Sequence, residues 1–149
     1  MPNAKHDKRR KEHKRMWVPY ETLRKHPPDF LVKYRFFMPE EGGRQNLPYQ
    51  GYRSDFAIES DFMNNTIDLR VIHPEFEDEF GNLIMDESKQ VNISGTARMW
   101  ILFPSSRARH RKTLEVGMKG YFMEGPKKVA EAEIVQIIGL LTNSCIEDH

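Results

Sequence analysis

The strongest constraint on this fold is that apolar and polar residues alternate in several short stretches, each ended by a turn sequence. Residues 30–38 show the alternation best, because one face carries Phe30, Val32, Tyr34 and Phe36. A side-chain period of two is typical of a β-strand. Turn residues follow at Gly42-Gly43, Asn64-Asn65 and Gly125-Pro126. The pattern predicts a mainly β protein of seven or so short strands, as a barrel or a sandwich.

Further strands are predicted at residues 52–60, 66–73, 91–103 and 117–123. Pro74 is expected to end the third strand, because proline has no N–H to donate to a ladder. Gly95 is expected to interrupt residues 91–103. The last element, residues 129–138, fits a helical stripe and also a strand at period two, and its periodicity leaves both open.

Two loops carry charge of one sign. Residues 75–87 contain six acidic residues and no lysine or arginine, which predicts a solvated acidic loop, with a hairpin around Gly81-Asn82 as an alternative. Residues 104–112 contain three arginines and a lysine after Pro104, which predicts a basic loop. Short charged loops are usually only solvated, so nucleic-acid contact by the basic loop is one of two open interpretations.

The charge of the whole chain is unevenly distributed. Residues 1–15 carry seven basic and two acidic groups, a net +5, whereas the remaining residues sum to −4. A segment with so little apolar content cannot offset its ordering entropy, so a flexible basic arm is expected over residues 1–25. We expect the folded domain at residues 26–142 and a tail at 143–149. Such an arm binds RNA phosphates through counterion release, or serves as a solubilising tail that touches any anionic surface.

Composition argues against several classes of protein. No apolar run is long enough for a transmembrane helix, and none follows the charged N-terminus as it would in a signal peptide. The single cysteine, Cys145, excludes a disulfide framework. A cytoplasmic protein is therefore expected. The six histidines are scattered without HxH or HExxH spacing, and no phosphate-binding loop occurs. We therefore expect no metal, no cofactor, no membrane insertion and no catalytic activity.

Two segments carry a resemblance to a known family. Residues 41–56, EGGRQNLPYQGYRSDF, resemble the start of the C-terminal β-barrel domain (domain III) of elongation factor Tu, which has an EGGR turn, a six-residue link and a GYR sequence. Residues 120–138, GYFMEGPKKVAEAEIVQII, resemble its glycine-led strand, its Glu-Gly turn and its last strand. The likeness covers about residues 30–140. It implies an all-β fold with a closed antiparallel β-barrel, and a strand at residues 129–138.

The resemblance also implies a function. In the family this domain helps to hold the T-stem of aminoacyl-tRNA, with the EGGR arginine near the RNA backbone and the Glu-Gly turn near the T-stem. The matching residues are Arg44, Glu124 and Gly125, whereas Gln45, Asp55 and Pro126 depart from the family. With the arm and the basic loop, the candidate RNA-binding residues are Lys8, Arg9, Arg10, Lys11, Arg44, Arg53, Arg107, Arg109, Arg111, Glu124 and Gly125.

The sequence therefore favours a non-enzymatic binding protein whose partner is tRNA or rRNA. The alternative is a protein-interaction module that engages a translation-related protein or serves as an immunity or defence protein. A structural role also stays open for Arg44 and Arg53, which could pair with Glu41 or Asp55 or bond carbonyls at the turns.

Overall fold

The computed structural model describes residues 15–147, which form eight β-strands and two short α-helices. The strands are β1 (Phe30–Phe36), β2 (Asp55–Ile58), β3 (Phe62–Met63), β4 (Thr66–Ile67), β5 (Ile72–Phe76), β6 (Ser94–Ile101), β7 (Lys119–Glu124) and β8 (Lys127–Ile137). The helices are α1 (Tyr20–Arg24) and α2 (Arg107–Thr113), and single 3-10 turns lie at Pro39–Glu41, Glu59–Asp61 and Pro104–Ser106. Within this range no helix has the length and apolar character needed to cross a bilayer.

Six strands form one antiparallel sheet in the order β2-β7-β8-β1-β6-β5, which curls into a half-barrel. The other two strands, β3 and β4, form a hairpin. Its turn is Asn64-Asn65, as predicted, and both residues have positive φ, at 52° and 63°. Asparagine tolerates this left-handed conformation better than most residues, and two such residues give a turn whose twist matches the strands.

The core lies on the concave face of the sheet. In β1 every second residue, from Phe30 to Phe36, is buried, and the ambiguous last element is a strand, β8, that pairs with β1 and β7. Four aromatic rings meet at the centre with centroids 5.2–6.2 Å apart: Tyr34, Phe36, Phe76 and Phe122. Edge-to-face contacts of this kind add to the stabilisation from buried area.

The prediction of a closed barrel is wrong, because the edge strands β2 and β5 do not form a continuous ladder. They approach each other along a line that we call the seam, made by residues 50–56 and 70–76. Phe56 and Arg70 exchange two backbone hydrogen bonds at one end, and the Gln50 amide bonds both backbone groups of Phe76 at the other. Between them Pro74 lies inside β5, where it removes a donor that closure would need.

Pro74 also does not end a strand at His73, as had been predicted. The expected strand at 66–73 is divided between β4 and β5, and β5 tolerates proline because it is an edge strand. Gly95 does not interrupt β6. The expected basic loop is helical from Arg107, where α2 begins.

The prediction of a solvated acidic loop is wrong for its first residues. Glu75 is fully buried, and both its oxygens accept hydrogen bonds, from the indole of Trp17 at 2.6 Å and from that of Trp100 at 2.9 Å. Glu77 is also buried and accepts bonds from Thr96 and Arg98. Donors from other parts of the chain replace the water that these carboxylates would otherwise require.

The segments at both ends of the described range pack on the sheet. Trp17 donates its backbone N–H to Met85, and α1 covers the outer face of β5 and β6 through the contact of Tyr20 with Trp100. Asn143, in the segment expected to be a tail, is buried and bonds Asp29. A boundary drawn at residue 142 would cut this contact. The predicted arm up to residue 14 lies outside the described residues.

Candidate nucleic-acid interface

The two motifs behind the resemblance meet in space. Arg44, which follows Gly42-Gly43, forms an ion pair with Glu124, and Tyr52 bonds the same carboxylate oxygen. Arg44 also lies over the Tyr52 ring, 5.0 Å from its centroid. Glycine is needed at position 43, because a Cβ there would lie 2.0 Å from the carbonyl oxygen of Phe37. The tight turn thus brings Arg44 to a residue 80 positions along the chain.

The contacts among Arg44, Tyr52 and Glu124 shift the pKa values of Tyr52 and Glu124. Burial raises the pKa of Glu124, but the hydrogen bonds from Tyr52 and Arg44 outweigh burial and lower it overall. Burial and the bond to Glu124 raise the pKa of Tyr52. The Nε–H of Arg44 donates to the Asn46 carbonyl at 3.0 Å. The structural alternative allowed Arg44 to bond a turn carbonyl or to pair with a carboxylate such as Glu41 or Asp55. The bond to the Asn46 carbonyl is of the first kind, whereas Glu41 pairs with Arg35.

The predicted cations of α2 hold the C-terminal segment of the described chain. Arg107 is 1% exposed and forms an ion pair of 2.6 Å with Asp29, which is also buried. One helical turn later, Arg111 donates to the carbonyls of Leu140 and Asn143, each at 2.6 Å. A buried guanidinium offers no surface to a phosphate. The burial of Arg107 therefore argues against its predicted role as an RNA contact.

Of the other predicted residues, Arg109, Gly125 and Arg53 are exposed, and the rest lie outside the described part of the chain. Arg109 is exposed and pairs with Asp68, and Gly125 forms an exposed turn with φ of 55°. Lys8, Arg9, Arg10 and Lys11 lie outside the described residues. Arg53 is exposed and makes no hydrogen bond or ion pair with any residue from 15 to 147, which distinguishes it from Arg44, Arg107, Arg109 and Arg111.

Arg53 lies at the middle of the seam, opposite His73. The Phe56–Arg70 and Gln50–Phe76 contacts have the same antiparallel offset, and Arg53 and His73 lie midway between them. Their neighbours Ser54 and Ile72 are buried, so by alternation both Arg53 and His73 point to the outer face. The edges are unpaired here, and Ser54 Oγ is buried without a hydrogen-bond partner among the described residues.

A second arginine, Arg24 of α1, completes what we call the cationic cluster: Arg24, Arg53 and the titratable His73. Arg24 lies over the Tyr20 ring at 5.5 Å and reaches the carbonyls of Ile101 and Leu102 at 3.5 and 3.4 Å. Burial lowers the pKa of His73, and the charges of Arg53 and Arg24 lower it together, against a smaller opposing effect of Asp55. The field at the cluster is therefore positive.

Tyr20 and Trp17 fix α1 beside the cluster. Their rings meet edge to face at 5.1 Å, and the buried Glu75 accepts both the Trp17 indole N–H and the backbone N–H of Tyr20. The N-terminal segment is thereby anchored at residue 17.

A buried network holds the other end of the seam. Arg70 forms a two-bond pair with Asp61, at 2.8 and 3.0 Å, and its Nη1 bonds Thr113 Oγ1 and lies 3.0 Å from His110 Nδ1. Because Arg70 can only donate, the Nδ1 of His110 accepts and the ring is neutral. Burial, and then the charge of Arg70, lower the pKa of His110 to about 4.

Sequence reasoning found Arg53 but missed Arg24 and His73. Nothing in the local sequence marks His73 as a neighbour of Arg53, since only the seam register places them together. Arg24 ends a five-residue helix whose position depends on Glu75. Among the described residues no group of three or more histidine, cysteine or acidic side chains is arranged to hold a metal ion. No protein-family model matches the chain and no curated protein matches it.

Proposed function

We propose that this protein is a non-enzymatic RNA-binding protein that contacts the phosphate backbone through the cationic cluster and the basic arm. The observation that carries the proposal is the free guanidinium of Arg53, flanked by Arg24 and His73 on an exposed edge. Guanidinium groups bind phosphate oxygens with two parallel hydrogen bonds. Arg53 has all its donors unused within the described chain, so binding to phosphate would cost no intramolecular bond.

The charge distribution supports backbone contact over base recognition. The arm adds a net +5 over residues 1–15, and the chain that follows it is held at Trp17 by a hydrogen bond to Glu75. Phosphate contacts of this kind position a protein on RNA without reading its sequence. The motifs at residues 41–56 and 120–138 make tRNA and rRNA the first RNAs to test. Arg44 and Glu124 serve in this proposal as the support of the adjoining turn, since each binds the other.

The test is fluorescence anisotropy of labelled bulk tRNA with the full chain over a salt series. We expect Arg53→Ala to weaken binding and to reduce the slope of log affinity against log salt by about one. Arg109→Ala is the matched control, since Arg109 is also exposed but is paired with Asp68 and is not part of the cluster. Replacing Lys8, Arg9, Arg10 and Lys11 by serine measures the contribution of the arm. Equal effects of Arg53→Ala and Arg109→Ala would contradict the proposed site.

A second candidate function, a protein-interaction module, is favoured by one observation. Phe80 is 80% exposed at the tip of a tight loop, where the Asp78 carboxylate accepts the N–H groups of Phe80 and Asn82 at 2.9 and 3.0 Å. A rigid exposed aromatic ring is a typical anchor for a partner protein. Its partner would be a translation-related protein or the target of an immunity protein. Failure of the full chain to bind tRNA at moderate salt, with Phe80 required for a purified complex, would favour this function.

A further inference from the structure

The cationic cluster contains one group whose charge can change near neutral pH. Arg24 and Arg53 are always protonated, whereas histidine titrates in the physiological range. His73 is half-buried on β5, and its imidazole makes no hydrogen bond within the described chain. The charged and titratable groups around it come from three elements. They are Arg24 and Tyr20 of α1, Arg53 and Asp55 from β2 and its lead-in, and Glu75 beside it on β5.

In the free protein these groups disfavour a proton on His73. Burial and the two arginines act in the same direction, and the single carboxylate that acts on it, Asp55, is the weaker influence. The Glu75 carboxylate accepts hydrogen bonds from two indole N–H groups and a backbone N–H, which take the place of water around its charge. A phosphate bound between Arg24 and Arg53 would reverse this balance, because its negative charge would face His73 directly.

Resting on the RNA-binding function proposed above, we infer that the cluster takes up one proton at His73 together with an RNA phosphate, so that RNA binding strengthens as pH falls. The register of the seam places His73 opposite Arg53, where a phosphate held by the guanidinium lies within reach of the imidazole. A protonated imidazole donates from both nitrogens, so it adds a charge-assisted hydrogen bond to the phosphate.

The experiment measures the affinity of the full chain for labelled bulk tRNA at constant ionic strength between pH 7.5 and 5.5. If one proton is taken up with the RNA, the affinity rises as pH falls, by at most about tenfold for each pH unit. His73→Gln is expected to lose most of this rise, whatever its affinity at pH 7.5. His26→Gln is the matched control, because His26 is also half-buried and its ring bonds the Pro27 carbonyl and packs on Trp100, but it is not part of the cluster.

Each outcome separates this inference from the proposed function. If the wild-type chain binds and His73→Gln shows the same pH dependence, the proton coupling is refuted while RNA binding stands. If the wild-type chain does not bind tRNA at pH 7.5 or 5.5, the proposed function fails and the coupling with it. Calorimetry in two buffers of different ionisation enthalpy counts the protons taken up, and a count that His73→Gln does not lower also refutes the coupling. Tryptophan fluorescence at each pH verifies that every variant remains folded.

Discussion

Lowering the pH should destabilise this protein through His110, independently of any ligand. Burial and the charge of Arg70 lower the pKa of His110 from 6.5 to about 4 in the folded chain, whereas the unfolded chain titrates near the ordinary value. Between these two values the unfolded chain binds more protons, so stability is complete above pH 6.5 and decreases as pH falls towards 4. From pH 7.5 to 5 the free energy of unfolding should fall by about 2 kcal/mol, and by about 3 kcal/mol in total below pH 4.

Urea unfolding followed by the fluorescence of Trp17 and Trp100 measures this at pH 7.5, 6 and 5. The informative variant is His110→Asn, because an amide oxygen can replace Nδ1 as the acceptor for Arg70 but cannot titrate. It should be less stable at pH 7.5, since packing is lost, yet lose much less stability on acidification. Its residual dependence should come from His73, whose pKa is lowered in the same direction. An equal loss in wild type and His110→Asn would refute the assignment.

Two further predictions concern buried contacts. Asp29→Ala removes the partner of the buried Arg107 and should cost about 3–5 kcal/mol in urea unfolding, whereas Glu147→Ala, which removes an exposed carboxylate, should change stability by less than about 0.5 kcal/mol. Gly43→Ala should destabilise more than Gly42→Ala in thermal melts, because a Cβ at 43 meets the Phe37 carbonyl, whereas one at 42 meets nothing within 4 Å and is opposed only by its φ of 90°. Similar costs at both glycines would contradict the crowding at position 43.

The strands could be predicted from sequence because their signals are local. Alternation from Phe30 to Phe36 and the Asn64-Asn65 turn depend only on neighbouring residues, and both were confirmed. Whether the barrel closes could not be predicted in this way, because closure depends on contacts between β2 and β5. Pro74 removes a backbone donor there, and the Gln50 amide bonds the backbone of Phe76 where a neighbouring strand would otherwise do so. Local patterns say nothing about such substitutes.

The candidate site was only partly accessible to sequence reasoning for a similar reason. A run of acids predicts exposure unless distant donors are known, and Trp17 reaches Glu75 from 58 residues away. Arg107 and Arg53 look alike in sequence, yet Arg107 is buried against Asp29 and Arg53 has no ion-pair partner among residues 15–147. Whether an arginine is free depends on tertiary partners, so pattern alone identified the residue type and could not identify which side chain was available.

The strand order has a consequence for how the chain folds during synthesis. β1 lies between β6 and β8, and Phe30 pairs with Ile137, so the first strand of the sheet receives its second neighbour only when the last strand has been made. Closing so long a loop before any compensating contact forms is slow. Until then one hydrogen-bonding edge of β1, with its buried aromatic residues, is open to other chains. We therefore expect the nascent chain, more than the finished protein, to depend on chaperones.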